Sequence, residues 1–528
     1  MSTPEQSLVH IGLRPLDLAT FANVARSSGQ RLALAGEART KMQASNEVFR
    51  ASVDTRIPIY GLNTQFGDQV TLLDRHLDDY ESDNYRNSLV DRQYNLVRSH
   101  NCGLGEVVDE EIVRGAMVLR AQCLSRGFSG VRPEVVESYL SFVNQGVTPL
   151  CYRYGSIGAS GDLVPLATIA SAVIGEDVQV RYQGRLVPAL DAIRAADLRP
   201  LKLEGREGLA LVNGTSFMSS IAGLAMHDLS RVYNQMLDVV AIVLESLHSI
   251  WEGYSPIVHD LKGHNGQIAV AARMQSFWQG SQLMRGLGTA RSHGAKDLGV
   301  QDYYSLRSVA HGFGAFYENL ERARTWVESE MFSVNDNPIV SPKDESVLHT
   351  ANFMGYYISS ACDLMRADIA QSATWLHALL ANLVHPRKNR GLPTNIIEHP
   401  EVYSGFRPVQ ILAASLAIQC RKLAQTHASF VLPTEGDNQD VNSLGTHAAF
   451  DLRSSVTILE QLVSVLLMAG CQALELRGPD RASDSAKAVF EAYRKVVPFL
   501  KEDRLVHNDL VATIQFLRQH SGSLVNAA

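Results

Sequence analysis

The sequence predicts a mainly α-helical protein: a bundle of long helices with a smaller mixed part on its N-terminal side. Three observations predict it. Apolar residues recur at helical spacing through most of the 528 residues. Between Asn213 and Ile250 nothing interrupts a helix except Gly214 and Gly223, and a helix of that span would be about 57 Å long at about 1.5 Å per residue. Strand-like alternation is confined to one stretch, Asp177 to Val187.

The elements follow in order. In Val108–Arg126, Ile112, Ala116, Leu119 and Cys123 form one face, and Gly127 marks the end. Pro133 opens the next helix, with Val136, Leu140 and Val143 as its stripe and Gly146 after it. Asp177–Val187 turns at Gln183-Gly184 and predicts a hairpin. Leu452, Val456, Leu459, Val463 and Leu466 give a late helical stripe. Helices apolar over much of their circumference lie deep in a bundle or at a subunit interface, so a homo-oligomer is expected. The division expected is 1–205 for the mixed part and 206–528 for the long helices.

Composition excludes several classes. With 48 Lys+Arg against 55 Asp+Glu the net charge is −7, which disfavours a general nucleic-acid binder. Hydrophobic residues at 45% and charged ones at 20% support a large core and exclude global disorder. The most apolar stretch, Leu452–Leu476, is broken by Arg453, Glu460, Gln461, Gln472 and Glu475, so no membrane span is expected. Met1–Gly12 lacks a basic start followed by an apolar run, and the six cysteines form no C-x-x-C pair. A cytoplasmic protein with reduced cysteines is expected. His259 and His264, five apart with a glycine between, are poor metal-ligand geometry, so no metal is expected.

Gly155-Ser156-Ile157-Gly158-Ala159-Ser160-Gly161-Asp162-Leu163 is the most unusual stretch. It can be read as a glycine-rich turn before a helix starting at Leu163. A phosphate cradle would need G-x-G-x-x-G or a Gly-Lys-Ser/Thr, which it lacks. A nucleophile elbow fails because Asp162 stands where G-x-S-x-G needs its last glycine. The fourth reading is covalent chemistry of the backbone. The Gly161 nitrogen attacks the Ala159 carbonyl carbon, which only a residue without Cβ permits at little steric cost. Loss of two waters, one carrying the Ser160 hydroxyl oxygen, then yields a methylidene-imidazolone ring, an electrophile made from the chain itself.

That loop resembles the cofactor-forming loop of the aromatic amino acid ammonia-lyase and 2,3-aminomutase family. Further stretches resemble the family's motifs in order along most of the chain: Ile59–Thr64, Asn95–His100, Glu207–Thr215, Gln301–Arg307, Asn335–Pro338, Ala351–Phe353 and Asp437–Ser443. The resemblance implies the fold of histidine and phenylalanine ammonia-lyases and a homotetramer with shared active sites. It implies an enzyme that removes ammonia from an aromatic α-amino acid, through a 4-methylidene-imidazole-5-one formed autocatalytically from Ala159, Ser160 and Gly161. No nucleic acid or membrane partner is implied.

By the same resemblance Tyr60 is the general base, and its phenol, ordinarily near pKa 10, would have to be lowered to act near neutrality. Tyr304 assists proton handling beside the electrophile. Arg307 clamps the substrate carboxylate, a task that a guanidinium fork suits. Asn213 and Gln301 hydrogen-bond the ring or the substrate, Asn352 and Asn438 serve the carboxylate and its polar network, and Phe353 packs beside it. Gly67, Ser99, His100, Glu435 and Gln439 complete the substrate-binding set.

Ser99-His100 stands at the selectivity position, where an imidazole suits a polar ring tip better than phenylalanine. Gln439 stands where histidine ammonia-lyases usually place glutamate, so tyrosine is favoured over histidine. Asn95–His100, Tyr303-Tyr304 and Phe499–Asp503 most resemble bacterial tyrosine ammonia-lyases. The expected product is 4-hydroxycinnamate. A tyrosine 2,3-aminomutase, a histidine ammonia-lyase and a catalytically weak binding homologue are the alternatives. Departures from the family pattern are Gln65, Ala310-His311 and Met354.

Overall fold

A computed structural model describes residues 8–27, 29–54, 58–70, 83–286 and 301–525 of the chain. The architecture is mainly helical. It comprises two units, each assembled from separated parts of the sequence: Met1–His227, Arg324–Cys362 and Thr426–Phe450 in the first, Asp228–Ala323, Asp363–Gln425 and Asp451–Ala528 in the second.

The first unit holds the mixed structure. The helix expected over 108–126 spans Glu110–Ser125, and nearly every residue on it is buried rather than one stripe. Its two arginines are buried because backbone carbonyls receive them. Arg114 donates to Ala25, Val143 and Ser27 carbonyls, and Arg120 to that of Ala210. The neighbouring helix, Pro133–Asn144, begins on its proline, whose missing N–H costs nothing there.

The hairpin is present as Gln179–Tyr182 paired with Arg185–Pro188, in register Tyr182↔Arg185. Gln183 at φ 49° and Gly184 at φ 74° supply the two left-handed residues of a tight two-residue turn. Thr148–Pro149 adds a third strand. Three further small pairings carry no alternation long enough to announce them: Leu8–Ile11 with Arg31–Leu34, Leu104–Val107 with Tyr152–Tyr154, and Ile339–Ser341 with Ser346–Leu348.

The expectation of one helix across 213–250 needs correction. The helix runs Ser216–Ser246, preceded by the short helix Glu207–Val212. Between them Gly214 sits at φ 154° and bridges Gly161, so the chain there is extended against the glycine-rich loop. At the far end His248 turns out of the helix at φ 49°.

In the second unit, parts of Ser216–Ser246 and Gly445–Arg477 pack together. A Cβ on Gly470 would lie 3.0 Å from Val243 Cγ2, so the missing side chain lets the two helices approach closely. The late stripe is core, with Leu452, Val456, Leu459, Val463 and Leu466 all buried. Among the described residues only Gly445–Arg477 is long and apolar enough to cross a membrane, and 78% of its most apolar window is buried inside the protein.

Candidate active site

The site is built on the loop from Gly155 to Asp162, in the first unit. Asp162 closes the loop at the start of the helix Leu163–Ile174. Its carboxylate is fully buried and accepts from Ser156 Oγ at 2.8 Å, Thr446 Oγ1 at 2.5 Å and the Met218 amide at 2.8 Å. Burial pushes its pKa up to about 6 against the pull of those donors. On the other side of the loop, Ser443 Oγ and the Ser443 amide both donate to the Gly158 carbonyl, and the Leu444 amide to that of Ile157. The loop is therefore tied to chain that follows it by almost three hundred residues.

At its tip Ala159 is buried and Gly161 takes φ +70°. A Cβ on Gly161 would lie 2.1 Å from the Gly214 carbonyl oxygen, so the position accepts only glycine. Ser160 is held at both oxygens: Asn213 Nδ2 donates to its carbonyl and Gln439 Nε2 to its hydroxyl, each at 3.2 Å. Thr434 Oγ1 donates to Gln439 Oε1 at 2.7 Å, which turns the Gln439 amide nitrogen toward Ser160.

Ser160 lines a cavity of about 540 Å³. The same cavity is lined by Tyr60, Gly67, Ser99, His100, Asn213 and Glu435 from the expected set, and by Gln65. Four lining residues, Arg92, Asn95, Leu96 and Ser99, stand at i, i+3, i+4 and i+7 on the helix Asp83–His100. The sequence motif Asn95–His100 takes in three members of that stripe and leaves out Arg92, which the spacing back from Ser99 announces. Asp68, beside Gly67, was also missed.

Tyr60 occupies a tight turn. Gln93 is buried and donates to the Gly61 carbonyl at 2.7 Å, and its oxygen accepts the Leu209 amide. The Tyr60 hydroxyl accepts the Gly67 amide at 3.1 Å. Burial raises the Tyr60 pKa, and the charge of Glu435 adds to it, whereas the Gly67 amide acts the other way. Within this chain the phenol is thus raised, opposite to the lowering that general-base work near neutrality asks for. Burial raises Glu435 too, with Asp68 adding to the shift and His100 opposing it.

His100 Nδ1 lies 2.9 Å from the Leu96 carbonyl and 3.2 Å from Ser99 Oγ. A neutral imidazole that donates from Nδ1 to the carbonyl leaves Nε2 as an acceptor.

The remaining expected residues do not line this cavity. Asn438 is exposed, in the turn made by Glu435, Gly436 and Asp437, all at positive φ. Asn352 is exposed and donates to the Val334 carbonyl at 3.1 Å, and Phe353 is half-buried. Gln301, Tyr304 and Arg307 belong to the second unit. There Tyr304–Arg307 forms one helical turn, and the Arg307 guanidinium lies 4.7 Å from the centroid of the Tyr304 ring. Tyr304 is 74% exposed in the single chain.

Among the described residues no group of three or more His, Cys, Asp or Glu could hold a metal ion. His259 uses both ring nitrogens, accepting from Gln267 Nε2 at 2.8 Å and donating to the Gly253 carbonyl at 3.1 Å. Next to it stands His311, with ring centroids 5.6 Å apart. No disulfide joins any of the six cysteines.

The family profile described as aromatic amino acid lyase matches residues 16–495. The chain is 35% identical over 498 residues to a histidine ammonia-lyase of Deinococcus radiodurans, covering 94% of this chain and 91% of that protein. It is 34% identical over 520 residues to a tyrosine ammonia-lyase of Cupriavidus metallidurans, covering 96% and 95%. Among solved structures it is similar to the tyrosine aminomutase of Streptomyces globisporus, with TM-score 0.89, 30% identity and 97% of each chain covered.

Proposed function

The chain belongs to the aromatic amino acid lyase family and is a carbon–nitrogen lyase, and from that premise we propose that it converts L-tyrosine to 4-hydroxycinnamate and ammonia. One observation carries the reading. Ser160 is gripped at both oxygens by Asn213 and Gln439, on the wall of a cavity that also holds Tyr60 and His100.

The tripeptide fits a self-made methylidene-imidazolone. Gly161 has no space for a Cβ and a φ that other residues rarely adopt. Asn213 would hold the ring through the carbonyl oxygen it already contacts, whereas the hydroxyl that Gln439 contacts leaves when the ring forms. When formed, the ring supplies an electrophile that makes the amine a better leaving group. The residues around it have separate tasks. Tyr60, ionised, takes the proton from the substrate β-carbon. His100 accepts the phenol hydroxyl through Nε2, since Nδ1 is committed to Leu96. A substrate without that hydroxyl leaves a polar group unpaired. Asn95 and Ser99 flank His100 on the same wall.

Arg307 and Tyr304 enter through the resemblance, as carboxylate clamp and proton-handling residue. We infer a homotetramer in which they serve a site shared between copies, a reading supported by the exposure of Tyr304 in the single chain. Gln301, Asn352, Phe353 and Asn438 keep the binding roles expected of them. Cysteines without disulfides fit a reducing, cytoplasmic setting.

Two other readings have specific support. The solved structure of a tyrosine aminomutase shares the fold at 30% identity, and a mutase would return ammonia to the β-carbon. The relative at 35% identity is a histidine ammonia-lyase. Incubation with tyrosine, histidine and phenylalanine separately, with products resolved by chromatography, decides among them. Hydroxycinnamate from tyrosine supports the proposal; β-tyrosine replaces it with the mutase, and urocanate from histidine with the histidine enzyme. A purified chain whose intact mass shows no loss of two waters removes the ring and the reading built on it.

A further inference from the structure

Behind the glycine-rich loop runs a second short piece of chain, Asn213-Gly214-Thr215, of which the chemistry above uses only Asn213. Gly161 and Gly214 form a parallel bridge, and the Asp162 amide donates to the Gly214 carbonyl at 2.8 Å. A Cβ on Gly161 would lie 2.1 Å from the Gly214 oxygen, and a Cβ on Gly214 would lie 2.1 Å from Arg120 Nη1 and 2.5 Å from Asn335 O. Loop, segment and guanidinium are thus stacked in three layers with no room for a carbon between them.

The back of the stack is braced. Arg120 is fully buried and donates to the Ala210 carbonyl at 2.8 Å and to Asn335 Oδ1 at 3.0 Å. The same Asn335 Oδ1 accepts the Thr215 amide at 3.2 Å. Thr215 Oγ1 donates to Glu330 Oε1 at 2.5 Å. Arg120, Gly214, Thr215 and Glu330 do not line the cavity, so none is placed to touch a substrate in it. Burial raises the Glu330 pKa above its ordinary value, the Thr215 hydroxyl opposes the shift and the charge of Asp162 adds to it.

We propose that Gly214, Arg120, Thr215 and Glu330 form a rigid backing that presses the Ala159–Gly161 tripeptide into the shape needed for ring closure, which makes them positioning residues for self-modification rather than for turnover. The proposal rests on the ring formation inferred above. Closure joins the Gly161 nitrogen to the Ala159 carbonyl carbon. The Ala159 oxygen leaves as water with the hydrogens of the Gly161 and Ser160 nitrogens. The Ser160 hydroxyl leaves as a second water with the Ser160 Cα hydrogen. No oxidant or reductant is needed. An amide nitrogen is a weak nucleophile because its lone pair is delocalised into the carbonyl. Holding it against its target is therefore the available lever, and a displacement of about 1 Å costs on the order of a hundredfold in rate.

The test measures ring content by intact mass in freshly purified protein. The variants are Gly214→Ala, Thr215→Val, Glu330→Ala and Glu330→Gln, with circular dichroism and thermal midpoints recorded alongside. The wild type should lack two waters. Glu330→Gln keeps an acceptor for Thr215 and should lack them too. Thr215→Val and Glu330→Ala should fold as the wild type does and show at least a tenfold smaller fraction of ring. Gly214→Ala should show the same loss; should it fail to fold, Thr215→Val, which exchanges one hydroxyl for a methyl, decides. A Thr215→Val chain with wild-type ring content overturns the backing. A wild-type chain at full mass instead overturns the ring formation on which it rests, so the two failures are distinguishable.

Discussion

Gln439 donates its side-chain amide to the hydroxyl of Ser160 across 3.2 Å, and Thr434 determines which way that amide faces. A glutamate at this position cannot donate when ionised, and it adds negative charge near Glu435. Ring formation removes that hydroxyl and frees the Gln439 amide to donate to a substrate, so Gln439→Glu should lower kcat/KM for tyrosine by about tenfold, the equivalent of one net hydrogen bond of about 1.4 kcal/mol. Steady-state kinetics on tyrosine measure it, and an unchanged kcat/KM would show that the donor is dispensable.

His100 offers Nε2 to the cavity because Nδ1 faces the Leu96 carbonyl. Replacing it with leucine removes the acceptor for a phenol hydroxyl and leaves an apolar ring tip better matched. His100→Leu should shift the tyrosine to phenylalanine ratio of kcat/KM toward phenylalanine by about a hundredfold. The ratio of the two specificity constants is the readout, and one that stays put removes His100 from selectivity.

Tyr60 is raised by burial, and the Glu435 carboxylate adds to the shift. A base works in its ionised form, so kcat/KM should climb as pH rises through the alkaline range. Glu435→Gln removes a negative charge that opposes phenol ionisation, and the climb should move to lower pH. The pH profile of kcat/KM in the two proteins compares them; coincident profiles would separate Glu435 from the ionisation of Tyr60.

Arg206 grips Asp336 with two nitrogens at 2.9 Å each, and both side chains are fully buried. Arg206→Met strands the carboxylate and should cost about 3 to 5 kcal/mol in urea denaturation. Although burial acts against it, the pairing with Arg206 and the nearby Arg120 holds the Asp336 pKa below its ordinary value. A depressed carboxylate contributes stability above its unfolded pKa of about 4, and loses it as pH falls toward the lowered value. Asp336→Asn should therefore lose stability at neutral pH and show a shallower decline in acid than the wild type. Equal slopes in urea titrations across that range would exclude the pair as a source of acid sensitivity.

Local chemistry was legible in the sequence and distant packing was not. The hairpin could be read because Gln183-Gly184 states its own turn geometry. The tight backbone at Gly161 could be read because the ring proposed for Ala159-Ser160-Gly161 joins atoms that are neighbours in the chain. Gly214 looked like a tolerated interruption in a long helix, because what it accommodates, Arg120 behind and Gly161 in front, lies elsewhere in the sequence. Arg114 and Arg120 broke the apparent stripe of their helix for a related reason: the carbonyls that receive them come from other segments. The motifs located Tyr60, Ser99 and His100, which share a cavity with Ser160. They said nothing of Arg92 and Asp68 beside them.

The long reach between the glycine-rich loop and Ser443–Thr446 has a consequence for biosynthesis. Ser443 Oγ meets the Gly158 carbonyl across 285 positions of sequence, and Thr446 meets Ser156 across 290. A ribosome adding about 5 to 20 residues per second needs roughly 15 to 60 s to travel that far. Through that interval the nascent loop has none of these partners, and Gln439 too is still to be made. The loop acquires its mature geometry only when most of the polypeptide has been translated, so a messenger truncated before codon 439 encodes a chain that cannot hold Ser160 by its hydroxyl.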